Sequence, residues 1–160
     1  MKLYLVRHGI AEDPHFSQAD SDRRLTGEGI AKMHSIGKSL AQLQPDIQII
    51  ISSPYVRARQ TAEIIAEELS FKNDILFDKR IIPSGDFTGF AEMLSELSGE
   101  GNSLFVGHEP SMSSFVSGLC ADHSLRIDFK KGAICCVDIF NVRSARGVLQ
   151  WYAPPKVMIR

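Results

Sequence analysis

The chain has 160 residues, 44% of them hydrophobic, and a formal net charge of −1. That length suits one domain with a real core, so residues 1–160 are read as a single domain. The near-neutral charge excludes the broad basic surface of a nonspecific nucleic-acid binder, and the apolar runs are too short for a helix that crosses a bilayer.

The elements alternate in chain order. Residues 2–6 form a short buried strand that stops at Arg7, His8 and Gly9, too soon for a signal peptide. Residues 11–24 form an acidic polar loop that contains Pro14. Residues 26–43 form a helix capped by Thr26, with Ile30, Met33, Gly37, Leu40 and Ala41 on one face. "IQIII" is a second strand. A helix follows, with Ser53 as its cap and Pro54 in its first turn. "ILFD" is a short third strand, "FAEMLSELS" a helix, "SLFVG" a strand and "PSMSSFVSGLC" a helix. "AICCVDIF" and "GVLQWY" close the chain as an antiparallel pair. Such alternation predicts an α/β fold, a largely parallel sheet with helices on both faces. Cys135 and Cys136 point to opposite faces of a strand. Three cysteines make no disulfide framework, which suits a cytoplasmic protein with reduced thiols.

The unusual residues share one location. "RHG" follows the first strand, "SSPYVRARQT" the second and "GHEP" the "SLFV" strand. All three lie at carboxyl ends of predicted parallel strands, the edge where open α/β sheets bind ligands. Arg7, His8, Arg57 and His108 are therefore expected to meet in one pocket, with the start of the helix after the second strand adding free N–H groups. Guanidinium forks suit phosphate oxygens. Phosphoryl transfer needs in-line positioning and charge neutralisation, which cationic side chains supply without a metal. Nearby arginines favour a neutral histidine that can attack phosphorus. His8, held in the tight turn, is assigned as nucleophile, and His108 as the second histidine that steadies the transition state.

"LVRHG", "SSPYVRARQTA" and "VGHEP" together are similar to the signature of the histidine phosphatase superfamily, with its phosphoglycerate-mutase-like fold. The short length, "RRLTGEG" at 23–29, "IPSGD" at 82–86 and the tail "LQWYAPPKVM" resemble SixA-type protein-histidine phosphatases. The resemblance covers essentially the whole chain. It implies a three-layer α/β/α sandwich, a mostly parallel sheet with antiparallel C-terminal strands, and no cofactor. It also implies a phosphorylated His8, a phosphate pocket completed by Arg7, Arg57 and His108, and an additional phosphate-binding arginine in Arg23.

Larger members of that superfamily carry an inserted cap over a small substrate. Here roughly forty residues separate the Arg57 helix from the "SLFVG" strand, and one strand and one helix use them up, so no cap domain is expected. An open pocket suits a phosphoryl group displayed on another protein. Phosphohistidine also needs a positioned acid less than an ester does, because solvent can protonate its far ring nitrogen before it leaves. The leading expectation is a phosphohistidine phosphatase acting on signalling proteins such as histidine phosphotransfer domains, with no nucleic-acid or membrane partner. The alternatives are a small-molecule phosphomonoesterase, for which Glu109 is the candidate acid, and an inactive phosphate-binding module. Glu109 reads rather as a first-turn carboxylate at a helix start, and Asp86 either borders the pocket or stands in a turn. Cys120 and Arg126 have the C-x5-R spacing of cysteine phosphatases, but no glycine lies between them to build the phosphate loop. His15, His34 and His123 lack metal-ligand spacing.

Overall fold

β1 (Lys2–Arg7) is the hub of a six-stranded sheet. It pairs in parallel with β4 (Asn102–Gly107), from Leu3 opposite Ser103 to Arg7 opposite Gly107, and antiparallel with β5 (Ile134–Asn141) on its other side. β2 (Ile47–Ser52) runs parallel to β4, and β3 (Leu76–Phe77) parallel to β2. β6 (Arg146–Ala153) closes the far edge antiparallel to β5. The order is β3-β2-β4-β1-β5-β6. This computed structural model describes residues 1–97 and 101–159.

Strand side chains alternate between faces, and both faces of the sheet are covered, so the central strands read as continuous apolar runs. Leu3, Leu5 and Phe105 pack with Phe90 and Met93 of α3 (Phe87–Glu96) and Phe115 of α4 (Ser111–Ala121). Phe90 stacks on Phe115 at 4.3 Å and meets Phe105 edge-on at 5.4 Å. On the other face, Tyr4, Val6, Leu104 and Val106 pack with Met33, Ile36 and Leu40 of α1 (Gly27–Gln42) and with Ala58, Ala62 and Ile65 of α2 (Val56–Glu68). Cys135 joins the first core and Cys136 the second, as adjacent strand residues must. These layers make the expected α/β/α sandwich, with parallel strands at its centre and an antiparallel pair at the C-terminal edge.

Thr26 caps α1 as expected, its Oγ1 accepting the Gly29 N–H at 3.0 Å. Gly29 is required there, because a Cβ would stand 2.1 Å from the Ile10 carbonyl oxygen. That close approach anchors the "TGEG" turn to the residues that follow His8 and Gly9. The expected buried face of α1 is corrected at two positions: Ile30 faces solvent, with Ile36 inside in its place, and Ala41 is only half-buried.

Two helix starts differ from expectation. α2 begins at Val56, with Tyr55 as a cap that makes no side-chain bond. Ser53 and Pro54 stay in the preceding turn because Ser53 is committed elsewhere. Its N–H extends the β2–β4 ladder to Val106, and its hydroxyl accepts the Tyr55 N–H. α3 begins at Phe87, earlier than expected, because Asp86 caps it by accepting the Gly89 N–H at 2.8 Å. Asp86 is thus a helix cap. Ser98, the expected end of α3, lies outside the described residues. α5 (Pro155–Met158), four residues long, carries no helical periodicity to read and was not expected. Among the described residues no helix is long and apolar enough to cross a membrane.

Candidate active site

The carboxyl ends of β2, β4 and β1 lie side by side, and their backbone ladder runs on into the loops. Ser53 N–H donates to Val106 O at 2.9 Å, and His8 N–H donates to Gly107 O at 3.0 Å. Residues far apart in sequence are thereby set in a row: Ser53, His108 and His8. The His8 and His108 rings sit 5.0 Å apart. Arg7, His8, Arg57 and His108 line a single pocket of about 400 Å³, joined by Arg23 and Glu109. Asp86, which the sequence left between pocket and turn, is not among the lining residues.

His8 is held at both ring nitrogens. Nδ1 lies 2.7 Å from the Gly9 carbonyl, which assigns the ring proton to Nδ1. Nε2 then offers a lone pair, and the Arg57 Nε–H points at it from 3.2 Å. The His8 pKa falls from 6.5 to about 3. Burial is the main cause, helped by the Arg57, Arg7 and Lys131 charges and opposed by the Gly9 carbonyl. His108 is depressed to about 2, again by burial first, then by His8 and Arg57. Both rings are neutral at physiological pH.

Arg57 is 3% exposed, and its guanidinium lies 5.2 Å from the centre of the Tyr55 ring. Its Nη1–H donates to Asp20 O at 2.7 Å, and its Nη2–H to Asp20 Oδ2 at 3.1 Å. Arg23 reaches the same carboxylate, with Nε 2.9 Å and Nη2 2.8 Å from Oδ1. Burial alone would raise the Asp20 carboxyl, but the Arg23 and Arg57 bonds outweigh it and hold the group low. Arg7 anchors through Nη1 to Phe129 O at 2.7 Å. The Arg7 Nε and the His108 Nδ1 are buried and have no hydrogen-bond partner. Unpaired buried polar groups are costly, so both suit an anion that would accept from them.

Four contributors escaped the sequence reading. The Ser53 hydroxyl lies 2.8 Å from His108 Nε2 and accepts the Tyr55 N–H; we assign its proton to Nε2 and the imidazole proton to Nδ1, the tautomer in which the hydroxyl proton also has an acceptor. Thr61 Oγ1 accepts the Gly9 N–H at 3.1 Å and donates to Arg57 O at 2.8 Å, tying the His8 turn to α2. Asp20 had no signal beyond loop charge. Lys131, in an exposed turn, borders the pocket. A polar residue four positions from the candidate Arg57 was the available clue for Ser53 and Thr61, and Asp20 and Lys131 had none of that kind.

Glu109 borders the pocket, but both its carboxylate oxygens face the first turn of α4. Oε1 accepts the Ser113 N–H at 2.8 Å, and Oε2 accepts the Ser113 hydroxyl. Cys120 is half-buried at the end of α4, and burial raises its thiol, the reverse of an activated nucleophile. His34 pairs with Glu68 at 2.7 Å, and His123 packs edge-on against Phe87.

The histidine phosphatase superfamily (branch 1) profile matches residues 3–90. The chain belongs to the histidine phosphatase superfamily. The phosphohistidine phosphatase SixA of Escherichia coli strain K12 is 27% identical over 157 residues, covering 97% of this chain and 94% of its own length. An uncharacterized protein of Picosynechococcus sp. is 33% identical over 121 residues, covering 74% of this chain and 73% of its own. The structure of the protein histidine phosphatase SixA complexed with tungstate superposes with a TM-score of 0.88 at 26% identity, covering 98% of each chain. Within the superfamily the chain is thus of the SixA type, with the same phosphoglycerate-mutase-like fold, and a phosphatase by kinship.

Proposed function

We propose that this chain is a metal-independent phosphohistidine phosphatase that removes the phosphoryl group from histidine on signalling proteins, histidine phosphotransfer domains in particular. His8 Nε2 is the nucleophile, and Arg7, Arg23, Arg57 and His108 hold the phosphoryl group. The observation that carries this reading is the state of His8: neutral, with its proton on Nδ1 and its Nε2 lone pair directed at the buried Arg57 Nε–H.

The steps follow from that state. The Nε2 lone pair attacks phosphorus as the phosphorus–nitrogen bond of the substrate histidine breaks. If the far nitrogen of the substrate ring is already protonated, it departs as neutral imidazole. The His8 ring, now phosphorylated on Nε2 and still protonated on Nδ1, becomes cationic, and the Gly9 carbonyl at 2.7 Å stabilises it. This exchange of one imidazole for another needs no general acid, which fits a Glu109 turned toward Ser113. Water then attacks phosphorus, the bond to Nε2 breaks, and dihydrogen phosphate leaves a neutral His8. The guanidinium groups and the Nδ1–H of His108 neutralise the equatorial oxygens throughout, the part a metal plays in other phosphoryl transfers.

A protein substrate is supported by the connection between α2 and β4. Its described residues hold only β3, a 3-10 turn and α3, with no inserted cap. The name of the Escherichia coli relative supports phosphohistidine as the substrate. The test offers a phosphorylated histidine phosphotransfer domain and p-nitrophenyl phosphate side by side, with a chase for a phosphoenzyme. Loss of phosphate from the protein and a labelled intermediate that vanishes in His8→Ala are expected. Faster turnover of the ester with no effect on the phosphoprotein rejects the reading in favour of a small-molecule phosphomonoesterase.

A further inference from the structure

Among the described residues, Asp20 is the carboxylate that pairs with both Arg57 and Arg23. It sits in a short 3-10 turn (Asp20–Asp22) of the acidic loop and borders the same pocket as His8 and His108. Both terminal nitrogens of Arg57 meet this one residue, Nη1 at its carbonyl and Nη2 at its carboxylate. Two nitrogens of Arg23 meet the other carboxylate oxygen. These are the groups that bidentate phosphate recognition uses. The wider pocket lining is balanced in formal charge too: it holds Arg7, Arg23, Arg57 and Lys131 together with Glu12, Asp13, Asp20 and Glu109. Asp20 is half exposed, so solvent lets its side chain give way while its carbonyl keeps Arg57 in place.

A pocket of guanidinium groups and buried donors binds inorganic phosphate as well as it binds the reacting phosphoryl group. Such uniform binding does nothing for the chemical step and retains the product. We propose that Asp20 is a built-in counter-anion: its carboxylate competes with product phosphate for Arg57 and Arg23, weakens its retention and clears the pocket for the next turnover. This rests on the reading of the pocket as a phosphoryl site. A residue that merely clamped the two arginines would act in the opposite direction, since its loss would loosen them and weaken anion binding.

The experiment titrates tungstate and inorganic phosphate into the wild type, Asp20→Asn, Asp20→Ser and Asp22→Asn by calorimetry. Asp22 is an exposed neighbour whose carboxylate, among the described residues, meets only the Ser21 hydroxyl. Asp20→Asn and Asp20→Ser are expected to bind both anions about tenfold tighter, the scale of one unit charge removed a few ångströms from a bound anion. Their turnover should be inhibited at correspondingly lower phosphate, and Asp22→Asn should match the wild type. Unchanged or weaker binding in both Asp20 variants, with a wild type that binds, overturns the counter-anion role alone. A wild type that binds neither anion overturns the phosphoryl site and this role together.

Discussion

Arg57 Nε stands 3.2 Å from His8 Nε2, so the buried cation donates to the atom assigned as nucleophile. The contact aims the ring before substrate arrives and lies where an incoming phosphoryl oxygen would take over the donor. A lysine keeps the charge at that point but loses the fork that also reaches Asp20. Arg57→Lys is expected to lower kcat by about 10²–10³, the scale of losing one preorganised donor at a developing charge. Single-turnover dephosphorylation of a phosphotransfer domain measures it, and a loss under threefold contradicts the aiming role.

The two histidines make a pH prediction with a definite sign. Their folded pKa values are depressed to about 3 and about 2, below the ordinary 6.5. Between those limits the unfolded chain binds protons that the folded chain refuses, so stability falls as pH drops below about 6.5. Each histidine contributes up to about 1.4 kcal/mol per pH unit over that window. Denaturant melts from pH 7 to pH 4 should show this slope, reduced in His108→Gln. The ring protons of His8 and His108 should stay at their neutral NMR shifts down to about pH 4. Titration of either ring near pH 6.5 contradicts the burial argument.

Ser53 fixes which nitrogen of His108 carries the proton, through the 2.8 Å contact to Nε2. Without it the ring is free to place its proton on Nε2, leaving a lone pair on Nδ1 facing the phosphoryl oxygens. Ser53→Ala is expected to reduce kcat by about tenfold, within the range for a disturbed hydrogen-bonding partner of a reacting group. The KM should change little, and the two ring nitrogens distinguish the tautomers by ¹⁵N chemical shift. An unaltered tautomer in the variant removes this role.

Glu109 offers a further substitution. Its carboxylate receives both donors of Ser113 at the head of α4, so Glu109→Gln is expected to cost about 1 kcal/mol of stability, as for a lost cap. Hydrolysis of p-nitrophenyl phosphate should change by less than threefold. A strong fall in ester hydrolysis instead assigns Glu109 as a proton donor.

What could be read in advance follows a physical divide. Arg7, His8 and His108 stand where apolar strands stop, and buried parallel strands announce themselves as unbroken apolar runs. Their common location then needed only the rule about carboxyl ends. Arg57 followed from the helix after β2, though that helix starts at Val56 because the Ser53 hydroxyl is engaged with His108. That engagement depends on β4 lying between β2 and β1, and strand order carries no local signal. Asp20 and Lys131 come from loops, where charge is ordinary and periodicity absent. The outward turn of Ile30 reflects a helix face that is narrower than a count of apolar residues suggests.

The central place of β1 has one more consequence. Flanked on both sides and buried on both faces, it belongs to the last part of the molecule to open, so amides of Leu3 to Val6 should exchange with deuterium only through global unfolding. His8 hangs from the end of that strand and inherits its rigidity. If a phosphorylated protein docks as proposed, the acidic loop at 11–24, which borders the pocket through Glu12, Asp13, Asp20 and Arg23, is where amide exchange should slow on binding.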